Sequence, residues 1–469
     1  MSSHQANHIS FGTDGFRGVI ARDFTYDVVR KTAQGMADYI AYKYMRTEKP
    51  AVAVGYDRRF MSDRFARALA EVLAANGLNV TLSATPLPTP AVSLLTSKGF
   101  GLGVVITASH NKHYWNGIKV KQNGRSAPPA VTAEIENYVA KATPMKTAGT
   151  QVPVKDFRQA YAEYLNSKVP ASKVLPKLPG KVVVDFMHGA GAENASVFDS
   201  KNVLRLRERH DPLFGGVAPE PVEKNLLDLV EAVKKNKALF GVALDGDADR
   251  FALVSDKGQY MTPCQTGPLI LNYLLSKGAY KGKVAQAVSM GFLTKRIARA
   301  AGLPFEETPV GFKYLAEKML HEDVTFAVEE SGGYAWKGNL PERDGALTAL
   351  FVAEMVVRTG KPVSALYAEI EKKYGKSAFV RRDFSLEKAI PNKHSFAVKI
   401  KKKLPKVLLG HKITETNTID GLKIVLDNDW WVLMRPSGTE PLLRTYAETD
   451  SQENTKKFLD LAFKLVEQK

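Results

Sequence analysis

Cysteine is almost absent: Cys264 is the single one in 469 residues. One thiol closes no intrachain disulfide, so a disulfide-stapled scaffold is excluded and a reducing, cytoplasmic setting is expected. Long apolar runs are also missing. No stretch reaches the roughly 18 uninterrupted apolar residues of a membrane-spanning helix, so no membrane partner is expected. The first ten residues are polar and lack the apolar run of a signal peptide. No exact internal repeat is visible. What remains is an ordinary globular composition, 44% apolar and 25% charged. At about 150 residues per domain, the length suggests about three domains.

The formal charge is +17. Lysines cluster at Lys234, Lys235 and Lys237 and again at Lys401, Lys402 and Lys403. No zinc-finger spacing or RNA-binding aromatic signature accompanies them, so a solvated lysine face is expected rather than a nucleic-acid partner. The excess would also attract phosphorylated substrates.

Buried strands and amphipathic helices alternate along the chain. Ala51–Asp57 reads as a strand. Ser62 then caps a helix whose Phe65, Leu69, Val72 and Leu73 share a face, and Asn76-Gly77 ends it. Asn79–Ser83 and Val104–Thr107 read as further strands. The same grammar returns at Lys181–Met187, Leu226–Lys235 (helix), Phe240–Leu244, Phe251–Ser255, Val284–Ser289 and Thr325–Val328. Linkers are expected at Thr143–Val154, Asp256–Pro263 and Lys372–Ser377. The last segment differs, with strands near Phe379–Phe384, Leu422–Leu426 and Trp430–Met434 and a closing helix from Ser451. Three α/β modules and one α+β module are therefore expected, one more than length suggests. Their bounds are residues 1–150, 151–258, 259–375 and 376–469.

Four stretches carry candidate chemistry. Each follows a strand, where open α/β sheets bind ligands. In Thr107-Ala-Ser-His-Asn-Lys, followed by Asn116-Gly-Ile-Lys, Ser109 can present its hydroxyl as a nucleophile or phosphate carrier. No Gly-x-Ser-x-Gly surrounds it, which argues against a hydrolase elbow. In Asp245-Gly-Asp-Ala-Asp-Arg, three carboxylates alternate along a turn, a hard-oxygen set suited to Mg²⁺ or Ca²⁺. An EF-hand would need Gly and Glu where Arg250 and Asp256 stand. Glu329-Glu-Ser-Gly-Gly-Tyr offers carboxylate and hydroxyl groups to sugar hydroxyls. Arg435-Pro-Ser-Gly-Thr-Glu-Pro, with Arg444 beyond, offers arginine, hydroxyl and backbone donors to a phosphate. Gly189-Ala-Gly-Ala-Glu-Asn imitates a dinucleotide fingerprint, but Asn194 stands at its sixth position and no acidic residue closes the next strand.

Together these stretches resemble the α-D-phosphohexomutase superfamily, the phosphoglucomutase and phosphomannomutase enzymes. The resemblance spans nearly the whole chain. It runs from Phe11-Gly-Thr-Asp-Gly-Phe-Arg-Gly through Gly55-Tyr-Asp-Arg-Arg and the four stretches above to Arg435-Pro-Ser-Gly-Thr-Glu-Pro. It implies a four-domain, heart-shaped α/β architecture with one key loop per domain. It implies a phosphoserine at Ser109, with Mg²⁺ held by the serine's phosphate oxygen and by Asp245, Asp247 and Asp249. Lys119, with His110 and Arg17, would serve proton transfer and charge stabilisation, and Arg250 would lie near the transferred phosphoryl group. Glu329 and Ser331 would hold sugar hydroxyls, and Arg343 stands where relatives often carry Lys. Arg435, Ser437, Gly438, Thr439 and Arg444 would bind the phosphate that stays in place.

The implied reaction converts glucose 1-phosphate to glucose 6-phosphate through glucose 1,6-bisphosphate. Glu-Glu-Ser-Gly-Gly looks like the glucose-preferring branch, since phosphoglucosamine mutases tend to carry Gln second and dual mannose/glucose enzymes Met followed by Gly-His. A phosphomannomutase, a phosphoglucosamine mutase and a hexose 1,6-bisphosphate synthase stay open as alternatives. The expected partner is a hexose phosphate, and the protein is expected as a monomer or homodimer.

Overall fold

The computed structural model describes residues 12, 15–141, 150–278, 280–437 and 440–467. The chain divides into two compact units, one of Met1–Tyr260 with Gly333–Val363, the other of Met261–Gly332 with Ser364–Lys469.

In the first unit, Val52–Tyr56 lies between Leu102–Ile106 and Val80–Ser83, all parallel. Trp115–Gln122 runs antiparallel to Leu102–Ile106, and Phe16–Val19 antiparallel to Trp115–Gln122. Val52–Tyr56 and Leu102–Ile106 are buried along their whole length, as central strands covered on both faces must be. The helix that follows, Ser62–Ala75, buries Phe65, Leu69, Val72 and Leu73, as their spacing predicts. Its end also matches, with Gly77 at φ +74°. Its start does not. Met61 occupies the cap position at φ 59° and makes no side-chain cap bond. The Ser62 hydroxyl donates instead to Asp57 Oδ1 at 2.8 Å, because a buried carboxylate draws the hydroxyl more strongly than a helix end does.

A second sheet of this unit is ordered Phe251–Ser255, Phe240–Leu244, Val182–Asp185, Val203–Leu206. The last three strands are parallel and Phe251–Ser255 is antiparallel. The expected strands Phe240–Leu244 and Phe251–Ser255 form residue for residue, so residues 245–250 connect a hairpin. Both lysine clusters, one in each unit, are exposed.

The second unit pairs Phe305–Thr308, Lys283–Ala287 and Val324–Glu329 in parallel. Its other sheet is wholly antiparallel, ordered Ala378–Ser385, Leu442–Thr449, Trp431–Pro436, Leu422–Leu426, His411–Asn417, Val407–Leu408. One face buries Leu422, Ile424, Val432, Met434 and Leu443 against Phe458, Leu459 and Ala462 of helix Gln452–Glu467. Mixed α/β sheets followed by a C-terminal antiparallel α+β module are thus the architecture expected from the sequence. Among the described residues, no helix is long and apolar enough to cross a membrane.

Candidate active site

Strand Leu102–Ile106 ends just before Ser109, which is buried and takes the left-handed φ of +53°. A non-glycine residue holds that conformation only when its surroundings fix it. Here they do. The Ser109 amide donates to Thr107 Oγ1 at 2.8 Å, and Thr107 Oγ1 donates to Asp57 Oδ2 at 2.6 Å. The Arg59 guanidinium donates to the carbonyls of Ser109 (2.6 Å), Asn111 (2.7 Å), Lys112 (2.9 Å) and Trp115 (3.1 Å). Its Nε pairs with Asp57 at 3.0 Å, both side chains fully buried. In the sequence, Asp57 and Arg59 stand out only as part of a resemblance. Their signal is two charges directly after a fully apolar strand.

The Ser109 hydroxyl donates to Asp245 Oδ2 at 2.8 Å. The acidic turn presses against the serine loop: a Cβ on Gly246 would lie 2.3 Å from the Ser109 carbonyl oxygen. Gly189 owes its lack of side chain to the same turn, since a Cβ there would meet the Asp245 and Gly246 carbonyls at 2.8 Å. Asp245, Asp247 and Asp249 are buried, and one oxygen from each falls within 4.8 Å of the others. At that spacing, two carboxylates repel by about 3–4 kcal/mol at an effective dielectric near 20. Burial, then Asp247 and Asp249, push the Asp245 carboxyl well above the usual range. Asp249 Oδ1 is buried with no hydrogen-bond partner among the described residues. Hard oxygens, crowded negative charge and an oxygen left over fit a small divalent cation.

Two cations reach the same carboxylates. Lys119 Nζ donates to Asp247 Oδ2 and Asp249 Oδ2, each at 2.8 Å, and Arg343 Nη2 donates to Asp249 Oδ2 at 2.7 Å. Thr89 Oγ1 adds a 2.5 Å bond to Asp247 Oδ2, a contact with no sequence signal. Arg250 is held through its amide, 3.0 Å from Asp245 Oδ1. His110 Nδ1 lies 3.4 Å from the Ser109 hydroxyl. Burial first, then Arg250, Arg17, Lys119 and Arg59, hold its imidazole well below the usual pKa, so the ring is neutral. Arg17 reaches Asn111 Oδ1 at 2.6 Å. The first unit therefore gathers Ser109, His110, Arg17, Lys119, the three aspartates, Arg250 and Arg343.

The remaining expected residues belong to the second unit. Ser331 Oγ donates to Glu329 Oε1 at 2.5 Å just past strand Val324–Glu329. Arg435 and Arg444 stand directly opposite each other on neighbouring strands. Arg435 Nε pairs with Asp420 at 2.7 Å, and Arg444 lies 3.5 Å from Glu440. Burial would raise Asp420, but Arg435 and Lys393 hold it below the usual range. The Ser437 hydroxyl accepts from the Glu440 amide at 3.2 Å. Gly438 and Thr439 lie outside the described residues.

Comparison with known proteins gives this constellation its class. Residues 8–146, 159–258 and 262–374 match the family models described as phosphoglucomutase/phosphomannomutase, alpha/beta/alpha domains I, II and III, and residues 388–465 match the C-terminal domain. The chain belongs to the phosphoglucomutase/phosphomannomutase family of phosphohexomutases. It is 31% identical over 467 residues to the phosphoglucomutase/phosphomannomutase of Thermococcus kodakarensis, covering 98% of each chain. It is likewise 31% identical over 476 residues to the phosphoglucosamine mutase of Carboxydothermus hydrogenoformans, covering 97% of this chain and 99% of that one. A crystal structure from Thermus thermophilus, assigned as a phosphomannomutase, matches with a TM-score of 0.85 at 33% identity, covering 98% and 99% of the two chains.

Proposed function

We propose that this protein interconverts hexose 1-phosphates and hexose 6-phosphates through a phosphorylated Ser109, with glucose 1-phosphate as substrate. One observation carries the reading: the Ser109 hydroxyl sits 2.8 Å from Asp245, inside a buried three-carboxylate cluster gripped by Lys119 and Arg343. Phosphoryl transfer needs positioning and charge neutralisation more than covalent help from the protein. Asp245, Asp247 and Asp249, with the serine's phosphate oxygen, would hold Mg²⁺, which neutralises charge on the transferring group.

The chain's own groups divide the remaining work. A sugar hydroxyl forms a bond to the phosphorus as the bond from phosphorus to Ser109 Oγ breaks. The hydroxyl's proton must leave and Ser109 Oγ must regain one. Neutral His110, 3.4 Å from that oxygen, is suited to carry this proton. Lys119, held between two carboxylates, is suited to remain an ammonium and stabilise charge. Arg17, bonded to Asn111, and Arg250, bonded through its amide to Asp245, add positive charge around the same serine loop. The hexose 1,6-bisphosphate so formed then returns its other phosphate to Ser109. Glu329 and Ser331 are assigned to sugar hydroxyls, and Arg435, Ser437, Gly438, Thr439 and Arg444 to the phosphate not being transferred.

Glucose is favoured by the Glu329-Glu-Ser-Gly-Gly pattern. Glucosamine is the second reading, favoured by relatives that carry the phosphoglucosamine mutase name. Rates on glucose, mannose and glucosamine 1-phosphates, with Mg²⁺ and catalytic bisphosphate, separate them. Turnover on none of the three would defeat the proposal, as would undiminished turnover in Ser109→Ala.

A further inference from the structure

Behind the acidic cluster lies a second buried ion pair. Lys121 Nζ donates to Glu342 Oε2 at 2.7 Å, and the two side chains are 0% and 1% exposed. Ser93 Oγ donates to the same oxygen at 2.9 Å. The other oxygen, Oε1, accepts from the Arg343 amide at 3.2 Å and lies 3.9 Å from Arg343 Nε. Arg343 then reaches forward, with Nη2 2.7 Å from Asp249 Oδ2. Lys119 and Lys121 are two residues apart on strand Trp115–Gln122, so their side chains leave the same face. Lys119 also meets Asp249 Oδ2, at 2.8 Å. Charges of alternating sign thus run from Lys121 through Glu342, Arg343 and Asp249 to Lys119, all buried.

As a purely structural element this pair is a poor choice, because matched apolar residues commonly replace a buried ion pair with no loss of stability. As a positioning device it is apt. A planar guanidinium presents donors on several edges, so Arg343 can bond Asp249 through Nη2 while its Nε faces Glu342 Oε1 at 3.9 Å, which a point-like ammonium does less well. That gives Arg343 a reason to stand where relatives often carry lysine.

We propose that Lys121 and Glu342 are positioning residues: they fix Arg343 on one oxygen of Asp249 and thereby aim the other at the cation. The inference rests on the metal-dependent mutase reading above. Outer-shell partners of metal-binding carboxylates typically account for about 10–100-fold in metal affinity or activity.

The test titrates Mn²⁺ alone into the full-length protein by calorimetry and measures kcat and KM for the hexose 1-phosphate. Glu342→Gln is expected to weaken Mn²⁺ binding about tenfold and lower kcat about 10–100-fold, with KM changed less than about threefold because both side chains are buried, at most 1% exposed. The double variant Lys121→Met/Glu342→Leu restores apolar packing. It is expected to melt within a few degrees of the parent while keeping the weakened Mn²⁺ binding and low kcat. It also decides the matter if Glu342→Gln fails to fold. Parental Mn²⁺ affinity and kcat in the double variant would overturn the inference, as would parental Mn²⁺ affinity in a folded Glu342→Gln. Failure of the parent to bind Mn²⁺ at all would instead bring down the metal reading on which it stands.

Discussion

The candidate site groups of the two units carry their charge differently. In the first, Lys119, Arg343, Asp247 and Asp249 have side chains at most 5% exposed, and each is tied to a partner of opposite sign. In the second, the candidate phosphate arginines stay reachable, with Arg435 12% and Arg444 32% exposed. The difference follows from the work assigned to each. Groups that neutralise charge during bond exchange are most effective when fixed in a low-dielectric surrounding. Groups that grip a ligand and release it must keep contact with water. Variants of the first unit should therefore act on kcat, and variants of the second on KM.

The largest expected effect is at the serine. Ser109→Ala should lower turnover by at least about 10⁴-fold, and intact mass spectrometry should find no phosphorylated form. Chelation with EDTA comes next, with a loss of about 10³-fold that added Mg²⁺ restores; full activity in a chelated, metal-free sample would remove the cation from the scheme. Arg59→Lys should lower kcat about 10²-fold, since the serine loop would lose much of its support, and should also lower the melting temperature. Arg435→Ala should raise KM about tenfold or more, the value of a hydrogen bond to a charged group, with kcat moving far less. A kcat effect there with KM unmoved would erase the contrast between the units.

The smallest effect concerns a buried acid in the first unit. Burial lifts Asp344 to about 7, against the helping bonds from the Leu347 amide and the Tyr161 hydroxyl. An acid whose folded pKa is raised binds its proton more tightly when folded. Its contribution to stability is complete below the unfolded value of 3.8 and is lost as pH rises to about 7. Asp344→Asn has no such titration. The melting temperature of Asp344→Asn minus that of the parent should therefore climb across this window and level off above it. A difference that stays flat with pH would show that Asp344 titrates normally.

Local features were legible in the sequence; long-range polar ones were not. Phe240–Leu244 and Phe251–Ser255 form as expected because burial and flanking turns define them locally. The acidic turn was visible as a spacing, and the serine as a residue just past a strand. Ser62 misled because a hydroxyl before a helix is a cap only when no better acceptor is near, and Asp57 is near. The contacts of Arg59 and Glu342 could not be read at all. Apart from the nearby Asp57 and Arg343, the partners lie 50 to 56 residues away for Arg59 and 221 and 249 residues away for Glu342, and a buried charge is indistinguishable in sequence from a solvated one until the fold brings its partner.

The first unit is interrupted in the chain by residues 261–332, and Arg343 lies beyond that interruption. During synthesis, Ser109 and all three aspartates leave the ribosome well before the arginine that meets Asp249. A nascent or prematurely terminated product ending near residue 260 would hold its acidic residues without this counter-charge. Such a chain would keep Lys119 but lack the second of the two cations that meet Asp249.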